Sequence, residues 1–171
     1  MYYNTYIKPI LQYGILVYGA ASMTTLHPLF VLQKRALKLI HFKNRTYPSA
    51  ELFENSKVLS VYNLHFYELF KFVIKSISRL HEVESFNDIF DTNYNYNTRN
   101  ASKNVARLPK CRLSFAQDSI KYRAALLYNK LTNVDYFKDF NAKTKYQLSK
   151  FAHKFADECL LNDQTFTDLY Y

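Results

Sequence analysis

Glycine is nearly absent: the 171 residues contain two, Gly14 and Gly19. Sheets and phosphate-cradling loops need more turn glycine than that, so helices are expected. Neither a Walker loop nor a Rossmann fingerprint can be written with two glycines. Cysteine is as scarce. Cys111 and Cys159 belong to no CxxC or Cys-His cluster, which argues against a disulfide framework or a zinc knuckle and fits a reducing intracellular compartment, nucleus or cytoplasm. His27, His41, His65, His81 and His153 never stand four apart, so no helical metal pair exists and each reads as structural or exposed. No apolar run approaches the roughly 18 residues of a membrane span. The opening MYYNTYIKPIL has no basic stretch ahead of an apolar one, so no signal peptide is expected.

Clustered carboxylates are missing too. A polymerase or nuclease gathers acids to hold two metal ions, and no Asp-Asp doublet occurs here. Glu82 with Glu84, and Asp157 with Glu158, read as solvating charges. No serine or cysteine sits in a GxSxG setting. The sequence therefore predicts no catalytic residue, no metal site, no cofactor and no small-molecule ligand.

What is present is positive charge. The 23 Lys and Arg against 14 Asp and Glu leave +9, with a pI near 9.4. Polyanions follow as partners, nucleic acid first and an anionic membrane second, against the plainer reading of a solvated basic surface. Sixteen Tyr and fourteen Phe suit base stacking. Asn, Lys and Ile are also abundant, and all five types come from AT-rich codons, so the aromatic excess carries little weight.

The apolar spacing predicts an all-α fold: an irregular bundle of about five main helices with one long extended segment around 91–115. Tyr2 to about Val17 reads as a helix bent at Pro9. Pro28 suits the first turn of the next, where Leu29, Leu32, Ala36 and Leu39 form an apolar stripe and Lys34, Arg35 and Lys38 stand elsewhere. A short helix follows Pro48. From Leu64 the most regular stretch buries Phe66, Phe70, Val73, Ile77 and Leu80, while Lys71, Lys75 and Arg79 step by four on another face. That basic stripe can meet nucleic acid or simply face water. Ile120, Ala124, Leu127 and Leu131 give another helix, opened by Asp118 or Ser119. A last helix after Thr144 buries Leu148, Phe151, Phe155 and Cys159, and the tail 162–171 frays.

Between these helices the pattern breaks from Asp91 to about Pro109, and within the break lies YNYNTRN, residues 94–100. A polar loop that long is functional or mobile. Asn and Thr side chains hold a non-helical backbone by local bonds. Two readings stand. Tyr94 and Tyr96 can stack on an unpaired base while Arg99 takes a phosphate; or the segment is a strap, with Tyr96 filling a groove and Arg99 paired to a buried acid.

Three blocks in order resemble the C-terminal part of reverse transcriptases from non-LTR retrotransposons of the jockey-like, LINE type. They are YYNTYIKPILQYGILVYGA, with its Tyr13-Gly14 and Tyr18-Gly19 pairs; LFVLQKRALKLI, Leu29 to Ile40; and Tyr96-Asn97-Thr98-Arg99. A weaker fourth, SIKYRAALLYNKL, is similar to the family's Tyr-Arg, then Leu-Trp-Asn-x-Leu segment. Tyr18 and Tyr128 stand where the family usually has Trp, and Thr132 where it has Pro. Fingers, palm and endonuclease are missing. The resemblance implies a non-catalytic C-terminal fragment of an RNA-directed DNA polymerase whose parent enzyme would use magnesium. Residues 1–45 would be a thumb-like helical pair, and 46–171 a helical region packing on it. The partners implied are RNA or an RNA–DNA duplex, together with the parent's other polymerase domains, and no membrane. Gln33, Lys34, Arg35 and Lys38 would lie along the duplex, touching phosphates; Gln33 can equally tie two helices together. The residue pattern itself adds Lys71, Lys75, Arg79, Tyr96 and Arg99 as candidate contacts. The alternative is a purely structural module that docks on the palm or another protein, with apolar area exposed on its first two helices.

Overall fold

A computed structural model describes residues 2–77, 89–90 and 105–132. Every regular element among them is helical and none is a strand, so the chain is all-α as expected. Leu80, Arg79, the YNYNTRN segment and everything after Thr132 lie outside the described residues.

The N-terminal segment differs from the single bent helix its spacing suggested. A π-wound turn, Tyr3–Ile7, runs into α1 (Lys8–Gln12), and α2 (Ile15–Tyr18) follows. Pro9 has no N–H to give the preceding turn, and a widened turn accommodates its ring. The break itself falls at Gly14, whose φ of 68° is left-handed and whose missing Cβ would meet nothing. Gly19 serves a different end. A Cβ there would lie 2.5 Å from the Ile15 carbonyl oxygen and 2.6 Å from the His65 ring. Each of the two glycines thus occupies a place that needs one. Gly19→Ala should cost about 2 kcal/mol by overpacking, because neither a backbone oxygen nor a buried ring can easily retreat. Urea denaturation reads that loss.

α3 (Met23–Ile40) starts five residues before Pro28. Ser22 caps it, its Oγ accepting from the Thr25 N–H at 3.3 Å, so Pro28 lies inside the helix and not at its first turn. Pro28 and Thr24, whose carbonyl it leaves without a donor, are both exposed, and water can satisfy that oxygen. The buried face also differs from the expected stripe. Leu26, Gln33 and Leu37 are buried, with Leu29, Phe30 and Ile40 packed beside them, while Leu32 and Leu39 face solvent. α4 (Ser49–Ser56) follows Pro48 as expected.

α5 (Val61–Ile77) is central among the described residues and touches α1, α2 and α3. The expected Phe66, Phe70 and Val73 are buried, and Ile77 packs against them. Val61, Leu64, Leu69, Phe72 and Ile74 are buried too, so nearly the whole circumference is covered. Each such side chain contributes about 1.5–3 kcal/mol. α6 (Ser114–Gln117) is short, and α7 (Ile120–Thr132) packs on α5 through Ala124 and Leu127. Ser119 is its cap, the Oγ accepting from the Tyr122 N–H at 3.4 Å; Asp118 instead pairs with Arg123.

Two apolar clusters result. One joins Tyr3, Leu11, Ile15 and Leu37 to Leu52, Val58, Val61 and Leu64, and so crosses residue 45. The other joins the remainder of α5 to α7, with Leu16, Ile89 and Phe90 at its edge.

Candidate nucleic-acid interface

The residues singled out as contacts separate into distinct environments. Gln33 is 2% exposed. Its Nε2 donates to the Tyr3 hydroxyl at 2.6 Å and to the Leu59 carbonyl at 2.8 Å, and its Oε1 accepts from the Val61 N–H at 2.9 Å. A side chain so committed cannot reach a phosphate, which corrects its place among the contacts: it ties α3 to the N-terminal turn and to the start of α5. Burial raises the Tyr3 pKa, opposed by the Gln33 hydrogen bond, and the ring stays a neutral phenol.

Of the cations around Gln33, Lys34 and Lys38 are half-buried. Arg35 is exposed. The Lys34 ammonium stands 4.6 Å over the Phe30 ring, which itself stacks on Phe53. Lys38 Nζ donates to the Arg45 carbonyl at 2.6 Å and so folds the chain after α3 back on the helix end. Lys43 lies 4.9 Å over the Tyr47 ring. Lys34, Arg35, Lys38, Lys43 and Arg45 therefore form one local group on the last turns of α3 and the turn beyond. Lys38 also faces the negative end of the helix dipole.

No carboxylate dilutes that group within its own stretch of chain. The first in the sequence is Glu51. Of the 14 acids, the described residues hold just Glu51, Glu54, Glu68 and Asp118, against more than half of the 23 cations. Two of those four are engaged internally, Glu68 with Lys71 at 3.1 Å and with Gln12 at 2.8 Å, and Asp118 with Arg123.

On α5 the expected basic stripe is weaker than its spacing suggests. Lys71 is half-buried, paired to Glu68 and held 5.1 Å over the Tyr67 ring, whereas Lys75 is exposed. Arg79, Tyr96 and Arg99 lie outside the described residues.

Sequence reasoning passed over a second basic stretch, Arg107, Lys110 and Arg112, all exposed in an irregular run leading to α6. Asn129 pins its start, accepting from the Ala106 N–H at 2.7 Å and donating to the Ala106 carbonyl at 2.9 Å. The signal was readable in VARLPKCR, where cations recur without any acid. Asn129 is the Asn of LYNKL, so that stretch has a structural task here.

The N-terminal helices expose Tyr2, Tyr6, Ile10, Tyr13 and Val17; other exposed apolar side chains lie on α3 and just beyond it, and around α6. Tyr2, Tyr6, Ile10 and Tyr13 precede the break at Gly14, and Val17 follows it on α2. Among the described residues no three His, Cys, Asp or Glu side chains gather to hold a metal ion, and no helix is long and apolar enough to cross a membrane. No family model, curated protein or solved structure matches the chain.

Proposed function

We propose that this helical body binds the sugar-phosphate backbone of RNA or an RNA–DNA duplex, as the region behind the polymerase core of a non-LTR reverse transcriptase, and has no polymerase activity of its own. One observation carries the reading: Lys34, Arg35, Lys38, Lys43 and Arg45 gather at one helix end, and no acid precedes Glu51. Lys38 and Lys43 are already positioned by neutral partners, so less ordering remains when phosphates arrive. The ordered sequence blocks support the same reading.

The test is affinity against salt. Micromolar or weaker binding should fall between about 50 and 300 mM salt, with a slope of roughly −0.9 per phosphate engaged. Reversing Arg35, Lys43 and Arg45 to Glu should weaken binding at least about tenfold and flatten that slope; none of the three is buried. Binding indifferent to salt would defeat the proposal. Primer extension by the purified 171 residues would defeat its non-catalytic part.

A second reading has its own observation. The outward Tyr2, Tyr6, Ile10, Tyr13 and Val17 suit a structural module that docks on a polymerase palm or another protein. Self-association relieved by Tyr6→Glu with Tyr13→Glu, with nucleic-acid affinity unchanged, would favour it.

A further inference from the structure

Two helices of this chain end in the same hydrogen-bonded turn and use it differently. After α4, Lys57 is left-handed with φ 49°, the Lys57 N–H donates to the Glu54 carbonyl at 3.1 Å, and the Val58 N–H to that of Phe53 at 3.3 Å. Val58 and Phe53 both belong to an apolar cluster, the contact that usually accompanies this termination. After α3, Phe42 is left-handed with φ 51°, its N–H donates to the Leu39 carbonyl at 3.2 Å, and the Lys43 N–H to that of Lys38 at 2.9 Å. Here the two positions that usually close on each other are both lysine. The residue forced into the glycine-favouring conformation is a phenylalanine, 96% exposed. A bulky L side chain is disfavoured in that backbone region, and a ring in water recovers almost nothing by packing. An outlier of this kind calls for a use outside the fold.

We infer that Phe42 is a stacking residue. The turn after α3 offers its ring to an unpaired base of an RNA strand whose phosphates rest on Lys38, Lys43 and Arg45. This deepens the proposed backbone binding and rests on it. The surroundings decide the class of ligand. An apolar protein surface or a lipid layer would reward several rings together; the other exposed apolar side chains of this helix end, Leu39 and Leu32, are aliphatic, and one base needs one ring. The charges beside the ring are of a single sign, and Lys38 and Lys43 are held in place by the Arg45 carbonyl and the Tyr47 ring. Every base has a π-face, so the contact is indifferent to sequence but demands an unpaired nucleotide.

Phe42→Asn tests this, because Asn tolerates positive φ and removes the ring. The full chain and its variant are titrated with a short labelled single-stranded RNA and with a blunt RNA–DNA duplex of equal length. Phe42→Asn should weaken single-strand binding about tenfold, leave the blunt duplex within about twofold, and hold or raise the melting temperature; Phe42→Trp should keep the single-strand affinity. Equal single-strand affinity in Phe42→Asn and the parent chain overturns the stacking role while leaving backbone binding intact. Loss of binding to anionic vesicles alone, with RNA unaffected, assigns the ring to a lipid surface and also overturns it. If the parent chain binds neither nucleic acid in a salt-sensitive way, the proposed function itself has failed.

Discussion

Gln33→Leu destabilises the chain by about 4 kcal/mol. Leucine has nearly the volume of glutamine, so little of that loss is a cavity. It comes from three groups left without a partner: the Tyr3 hydroxyl, the Leu59 carbonyl and the Val61 N–H. A buried group so orphaned costs about 1–3 kcal/mol. The Val61 N–H is among the first amides of α5, which no carbonyl of that helix can satisfy. Tyr3→Phe removes one of the three bonds and should cost only about 1 kcal/mol. Urea unfolding at neutral pH checks both: the midpoint should drop in that order with the m-value unchanged. A leucine variant as stable as the parent would refute the amide's role as a tie.

Acid should weaken the fold through His65. This ring is 3% exposed, under Gly19, and its pKa is lowered to about 4, first by burial and then by the Arg123 charge. In the unfolded chain the ring takes a proton below about pH 6.5. The folded ring refuses it until about pH 4. Between those values the unfolded state holds more protons, so stability falls as pH falls. The full loss is about 3 kcal/mol, complete near pH 4 and absent above 6.5. Denaturation midpoints followed across that window should show the slope, and His65→Gln should abolish most of it. An unchanged slope in the variant would place the titrating group elsewhere.

How far the sequence disclosed all this depended on whether hydrophobicity alone set the buried face. On α5 and α7 it did: Phe66, Phe70, Val73, Ala124 and Leu127 are buried where their spacing put them. On α3 it did not. The centre of that helix's buried face is a glutamine, held by hydrogen bonds, so a pattern search slides about a quarter-turn onto Leu32 and Leu39. Pro28 drew attention to the wrong helix start because Ser22, a weaker signal, is the cap. At the candidate site the lysines and Arg35 were visible as types, and their surroundings were not. Lys71 follows Glu68 by three residues, the spacing of a helical ion pair, so this engagement was legible in the sequence, although a search for cations alone passes over it. Phe42 was invisible as an outward ring, because a left-handed φ at a non-glycine residue leaves no mark in composition or period.

α5 has one more consequence. Its first half is walled by one apolar cluster and its second half by the other, and Gln33 fastens its beginning to α3. Loss of either cluster strips that shared rod of about half its packing, and unwinding the rod opens both. The described portion should therefore melt as a single cooperative unit, with α3 and α7 lost together although no contact between them is needed to couple them.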